Sequence, residues 1–430
     1  MKNRIRWYLL ILGMILLAGP GCSNLPLIST ATPTNSPPIL TTPTPTRAPT
    51  PVVPDEPTSS TLTVWVPPQF APSQENPLGI LLQDRLDSFS QLYSNLQINV
   101  RIKSETGPAS LLESLYATSG VAPLVLPDLV LLSTEDMYTA AEQNLIYPYP
   151  PGYPSEDDTD WYNIASALSS YQDERYLLPL AADAMVMVYN PELVESAPRT
   201  WDDLLSAGNI ISFPATDPQA TFTIALYLSN GGTFRDSEEN IALQSAPLAS
   251  VLNTYQQAHA ANILPPNPTQ IESDESAWIK FNETNKQILI TWASRFFGQA
   301  DETLTATSLP TLTGQPFTLI KGWGWVLATP DPNKQAAATE LAKYLTEAEF
   351  AGPWTQASYL LPLRPFALSY WEDESAQILA SQLLPQSTQM PSPDVLSLVS
   401  TPITDAVLDV LTAVLSPEEA AQIAVDSLED

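Results

Sequence analysis

The chain has 430 residues, enough for two or three domains, and carries 47 acidic against 17 basic side chains for a net charge of −30. That balance excludes a nucleic-acid-binding face, which must be basic, and electrostatic docking on anionic lipid. One cysteine, Cys22, and one histidine, His259, rule out an intramolecular disulfide framework and a Cys/His zinc site.

The N-terminus, "MKNRIRWYLLILGMILLAGPGCSN", places Lys2, Arg4 and Arg6 before an apolar stretch over 7–18. The stretch is too short for a comfortable membrane span and reads as a secretory signal. The lone cysteine behind it resembles the bacterial lipoprotein lipobox, in which the cysteine becomes the lipidated first residue. Gly21 fits that pattern and Gly19-Pro20 depart from it. Residues 1–22 are therefore expected to be a lipoprotein signal with Cys22 as the lipidated residue. Residues 23–60 are rich in Pro, Thr and Ser and cannot build a core. Their proline density favours extended polyproline II at roughly 3 Å per residue, a tether holding a folded domain off a membrane surface.

Folded structure is expected from Thr61. "STLTVWVPP" reads as a strand. "LGILLQDRLDSFSQLY" has helical spacing, with Leu78, Leu82, Leu86 and Phe89 on one side. "LQINVRIKS" alternates as a second strand, "GPASLLESLYATSG" is a helix closed by Gly120, and "LPDLVLLS" is a third, doubly apolar strand. This alternation predicts an α/β fold with a parallel sheet covered on both faces. His259, near the end of a predicted helix, is expected to be exposed. In "RTWDDLL", Thr200 caps a helix with Asp203 three residues on, so Trp201 is expected to pack. One feature does not fit a plain core. "LPLAADAMVMVY" reads as a buried strand, yet contains Asp183. An unpaired buried charge costs several kcal/mol or neutralises, so Asp183 needs a partner.

Several segments, in order, resemble the extracellular solute-binding proteins of bacterial ABC importers, in the group of maltose- and other sugar-binding proteins. They are "LTVWV", "PDLVLLSTEDMYTAAEQNLIYPY", "DERYLLPLAADAMVMVYNPELVESAPRTWDDLL", "KFNETNKQILITWASRF" and "LPTLTGQPFTLIKGWGWVLATPDPNKQAAATELAKYLTEAEF". The chain departs from the family at surface turns: Glu174 replaces a glycine, Pro191 a basic residue, and "FNETNK" lacks glycine. The resemblance implies a two-lobed, type II periplasmic-binding-protein fold with the ligand in a crevice between lobes. The expected first lobe is 61–177 with 309–350, and the second 178–308 with 351–430. A crevice outside the strand ends agrees with the general placement of ligands on such sheets.

The resemblance gives Asp183 a role, accepting hydrogen bonds from sugar hydroxyls. Capping a neighbouring helix and pairing with Arg175 are the alternatives. Asp217, before Pro218, matches an acid-Pro pair that touches ligand in maltose-type relatives. Trp292 takes the position of a tryptophan laid against a sugar face. Arg295, three residues on, would bind an anionic group or pair with a surface acid. In "IKGWGWVLAT", Trp323 is the better cleft candidate and Trp325 the weaker, with Gly322 and Gly324 allowing close backbone approach. Trp65, ending the first strand, and Ser133, ending the third, complete the expected ligand set. The aromatic that maltose-type relatives carry near Leu132 is absent.

No GxxxxGK[ST], HExxH or GxSxG motif occurs. Adjacent acids such as Asp157-Asp158 and Glu238-Glu239 sit in polar segments, as solvated surface does. No enzymatic activity, cofactor or metal is expected. The expected function is a monomeric, lipid-anchored receptor on the outer face of the cytoplasmic membrane. It would close on a small solute, a carbohydrate first, and deliver it to a permease whose partner subunits hydrolyse ATP. The rivals are a receptor for a non-sugar solute (an anionic metabolite, an amino-acid derivative or a metal chelate), with Arg295 and Lys321 converging in the cleft, and a surface lipoprotein that kept the fold without transport.

Overall fold

The computed structural model describes residues 61–93, 96–151, 158–299 and 301–428. The expected signal, Cys22 and the expected tether lie outside them. All described residues fall in one unit, Asp55–Asp430.

Strand β1 (Thr61–Val66) lies between β2 (Gln97–Ile102) and β3 (Leu129–Ser133), parallel to both. Alternation sends Leu62, Val64 and Val66 to one face and Trp65 to the other. The helix Pro77–Leu92 covers the first face through Leu82, Leu86 and Phe89, while Leu111, Leu115 and Met137 cover the second. This helix starts where the sequence dictates. The Asn76 side chain accepts the Gly79 N–H at 2.7 Å, and Pro77 takes the first helical position, where no N–H is needed. The next helix, Leu111–Val121, runs one residue past the expected stop at Gly120 and ends at Ala122. Asp128 is fully buried beside β3. It accepts the Thr63 N–H at 2.8 Å and the Lys334 ammonium at 3.1 Å, pinning strand and helix together.

A small hairpin, β4 (Ser170–Tyr171) and β5 (Glu174–Arg175), precedes β6 (Leu177–Tyr189). β6 is the apolar run containing Asp183, and it is buried from Leu177 to Val188. Beyond it come β7 (Ile211–Ser212), β8 (Ile288–Trp292) and β9 (Thr305–Thr307). β10 (Thr318–Leu327) returns beside β6, and β11 (Leu361–Pro362) and β12 (Ser387–Gln389) are short edge additions. Residues 177–184 of β6 pair with β10, and residues 185–189 pair with β8 and β9. One ten-stranded sheet therefore threads two lobes, in the order β2-β1-β3-β10-β6-β8-β7. The expected parallel sheet is mixed instead. β10 runs antiparallel to both β3 and β6 because it comes back from the second lobe, not through a crossover helix.

Each lobe has its own core. In the second, Trp201, Phe213, Phe222 and Tyr255 form an aromatic knot with ring centroids 4.9 Å apart at the closest pair. Trp201 sits at a helix start where Thr200 and Asp203 form a capping box. A separate apolar cluster, including Leu168, Val186, Leu289 and Leu361, fills the junction. The expected lobe limits at 309 and 351 fall inside segments that pack on one side only. Leu309 and Leu319 lie in the second-lobe core. Phe350, Ala351 and Trp354 lie in the first-lobe core.

Candidate functional site

A cavity of about 410 Å³ opens between the lobes. One wall comes from the first lobe: Glu105 and Thr106 after β2, and residues 133–136 where β3 turns into the helix Thr134–Glu142. The facing wall comes from the second lobe, with Asp217 and Gln219 before one helix and Thr221 at its first position, 272–274 at the start of another, and the end of β8. The floor is β10 at 321–323 with Met185 and Met390. Helix starts and strand ends meet there because polar side chains that cap helices are concentrated at those positions.

Lys321 stands between two indoles. Its ammonium lies 4.1 Å from the Trp292 ring centroid and 5.7 Å from that of Trp323, a cation–π pairing on both sides. Thr134 donates its hydroxyl to the Gly322 carbonyl at 3.2 Å, tying the first wall to the floor. Ser133 caps its helix by accepting the Asp136 N–H at 3.0 Å. Asp217 accepts the Thr221 N–H at 3.0 Å, the Thr221 hydroxyl at 2.6 Å and the Gln219 N–H at 3.1 Å.

Of the expected ligand set, Trp292, Trp323, Asp217 and Ser133 line this cavity and Asp183, Trp65 and Arg295 do not. Asp183 is 3 % exposed. Its carboxylate accepts the Ser294 N–H at 3.0 Å and the Ser294 hydroxyl at 2.6 Å, at the start of the helix Ala293–Gly298. Burial pushes its carboxyl up, and the neighbouring Lys321 charge and the Ser294 bonds pull it back. The buried acid is thus satisfied inside the protein, by a helix start 111 residues away. Lys321, its partner across the ladder, takes the place at the cavity. Trp65 is 2 % exposed and packs in the first-lobe core, on the side of β1 that faces Leu111 and Met137. Arg295 pairs with Asp274 and, at 2.8 Å, with Glu275. Trp325 is fully buried.

The sequence reading did not single out Glu105, Glu135, Asp136, Glu272 and Asp274, five acids that line the cavity. For Glu135, Asp136 and Asp274 the signal was present: in "LLSTEDM" and "IESDESAW" a capping serine is followed by acids in the first helical turn. Asp136 is the most perturbed of them. Burial, then repulsion from Glu135, pushes its carboxyl up to about 6, with Ser133 opposing and Glu105 adding. An unfolded aspartate titrates near 4, so the folded state holds this proton to higher pH. Stability from this group then falls as pH rises between about 4 and 6 and stays lower above that window. Asp136→Asn should stabilise the fold near neutral pH by about 1–2 kcal/mol and give no such gain at about pH 4. Melting midpoints of both proteins at the two pH values check this, and an equal gain at both would remove the titration of Asp136 as its cause.

The profile of the bacterial extracellular solute-binding protein family matches residues 90–378, well over half of the chain, and the protein belongs to this family. Solved structures share its two-lobed fold. Maltose-bound MalE3 of T. maritima is 17% identical with a TM-score of 0.65, the match covering 86% of this chain and 99% of that one. The cyclic α-maltosyl-1,6-maltose-binding protein from Arthrobacter globiformis is 15% identical with a TM-score of 0.71, covering 86% and 97%. MalE from Listeria monocytogenes, in complex with maltose, is 17% identical with a TM-score of 0.69, covering 86% and 97%. At these identities the likeness is one of fold. No curated protein sequence matches the chain. The family and these neighbours are binding proteins, not enzymes. No helix among the described residues is long and apolar enough to cross a membrane.

Proposed function

We propose that this protein is the receptor of an ABC importer and that it captures a carbohydrate in the cavity between its lobes. The observation that carries the reading is the lining of that cavity: two indoles, Trp292 and Trp323, among hydrogen-bonding side chains. A pyranose has an apolar C–H face that an indole covers and a hydroxyl rim that carboxylates and amides read. Fold neighbours solved with maltose support the same ligand class. On this reading Trp292, Trp323, Asp217 and Ser133 contact ligand, and Asp183 and Arg295 hold the wall in place. Cys22 carries the lipid that anchors the protein outside the cytoplasmic membrane, 23–60 is the tether, and the permease and ATPase are partner subunits. The first lobe takes in 61–177, the end of β10 and the segment through Ala367. The second takes in 185–319 and 390–428.

The rival anionic ligand finds less support. It needs Arg295 and Lys321 to converge, and Arg295 is held by Asp274 and Glu275.

The test is a panel of mono- and oligosaccharides scored by thermal shift, followed by Trp292→Ala. A ligand at about 100 times its dissociation constant adds roughly 2.7 kcal/mol to stability, a readable rise in midpoint. Trp292→Ala should weaken the hit at least about tenfold, the worth of an aromatic face plus its burial, while the melting curve without ligand keeps a single transition. Unchanged affinity by calorimetry would take Trp292 out of the site.

A further inference from the structure

We propose that the first lobe rests on the lipid surface by the end at which the chain enters the fold, through Val121, Leu124, Val125 and Leu92. The inference rests on the anchoring part of the reading above and is independent of which solute is bound.

Leu124 is 93 % exposed and Val121 87 %, more than any other large apolar side chain among the described residues, and Val125 and Leu92 are exposed as well. These residues belong to two uncharged stretches, 116–127 and 88–100, in a chain of net charge −30. The fold sets both stretches at one end of the sheet. β1 is parallel to both its neighbours, with Thr61 opposite Gln97 and Val64 opposite Leu129. Leu92 ends the helix that leads to Gln97. Residues 121–125 lead to Leu129 and are tied in by the Asp128 N–H, which donates to the Thr63 carbonyl at 2.7 Å. A helix joining two parallel strands returns the chain to the end where strands start, so these side chains share that end with Thr61. Two charges nearby are spent within the fold: Asp128 holds the Lys334 ammonium, and Asp331 caps the helix Pro332–Tyr344.

An exposed apolar patch on a folded domain marks a contact, and the place of this one selects the partner. The chain between the anchor at Cys22 and the fold enters at this same end, at Thr61. Contact with lipid is then intramolecular, at an effective concentration on the order of millimolar. A second copy or a separate protein has to arrive by diffusion. The patch needs no charge on the headgroups, because valine and leucine side chains bind an interface by the apolar area they bury in it. The cavity opens past the far ends of β2 and β3, at Glu105 and Ser133. A domain seated on this end therefore holds its cavity away from the lipid and open to solute.

Hydrogen exchange on phosphatidylcholine vesicles tests this. The mature protein is attached through Cys22, its sole cysteine, by its own lipid or, where mass spectrometry finds the thiol free, by coupling to a maleimide lipid. A free thiol refutes the anchor, and the exchange rates then judge the patch on their own. Backbone amides of 119–126 should exchange about fivefold slower on vesicles than in Cys22→Ser free in solution, as expected when the effective concentration of lipid exceeds the dissociation constant about fourfold. Amides of the helix Pro393–Leu411 should not change. Val121→Asp/Leu124→Asp should abolish the slowing without moving the melting midpoint, since both side chains stand in solvent. Equal exchange on and off vesicles overturns the inference. So does slowing that survives the double variant or spreads evenly over the domain. If free Cys22→Ser already protects 119–126 relative to its own double variant, the patch is covered without lipid and the inference falls: by a second copy where light scattering finds dimers, by the chain's own tether where it finds monomers.

Discussion

Asp183→Ala lowers the stability of the folded chain by about 3 kcal/mol, the cost of breaking a buried, bonded charge. The substitution removes the acceptor of both the Ser294 N–H and the Ser294 hydroxyl, in a position only 3 % exposed. Each buried donor left without a partner costs on the order of 1–3 kcal/mol. It also removes the charge that faces Lys321 across the ladder. Asp183→Asn keeps the shape and one acceptor oxygen, so it should cost about half as much. Denaturant unfolding of the three proteins reads this directly. If both variants unfold at the wild-type midpoint but lose ligand, Asp183 contacts the ligand itself and the internal account fails.

Gly324→Ala should destabilise by about 3 kcal/mol or prevent folding, because the added methyl would press on backbone that cannot give way. A Cβ at this position would lie 2.3 Å from a Leu177 methyl and 2.4 Å from the Leu178 carbonyl oxygen. The methyl can rotate away, whereas the carbonyl belongs to the β6 backbone. Gly324 follows the register shift between Trp323 and Gly324, so pushing the strands apart there also moves Trp323 and Lys321. Any folded fraction should therefore bind ligand poorly. Gly120→Ala is the control. It lies in a helix with nothing within 4 Å of the added methyl, and should stabilise by about 0.5–1 kcal/mol. Equal effects from the two substitutions would show that close backbone approach at Gly324 is not what requires glycine.

The elements of the first lobe were legible because their signals are local. Leu82, Leu86 and Phe89 fall on one helical face, and Leu62, Val64 and Val66 alternate along a strand. The apolar run of β6 was equally plain. The direction of β10 was not, since its antiparallel pairing depends on a chain that leaves for the second lobe and returns after more than a hundred residues. The site was half legible for the same reason. The family resemblance set Trp292 toward a ligand and alternation favoured Trp323, and both side chains line the cavity. Asp183 was expected in the cleft because a buried charge needs a partner, and Arg295 because it follows Trp292 by three residues, with helix capping and a surface acid as their respective alternatives. Their actual partners, Ser294 for one and Asp274 for the other, are fixed by tertiary structure. Trp65 was a matter of parity, since one face of β1 looks much like the other in sequence. The acids of the walls were not singled out, although Glu135, Asp136 and Asp274 follow capping serines, because only the tertiary fold brings those helix starts to one cavity.

β6 and β10 belong to both halves of the molecule, and that sets its mechanics. The two halves are joined by a hydrogen-bonded ribbon, not by a slack joint. Swinging one half against the other stores energy as twist spread over many ladder bonds, none of which has to break. The ribbon then behaves as a leaf spring. The ladder between β6 and β10 is interrupted by the register shift between Trp323 and Gly324. Any swing of one half against the other would thus work against the elasticity of the backbone itself.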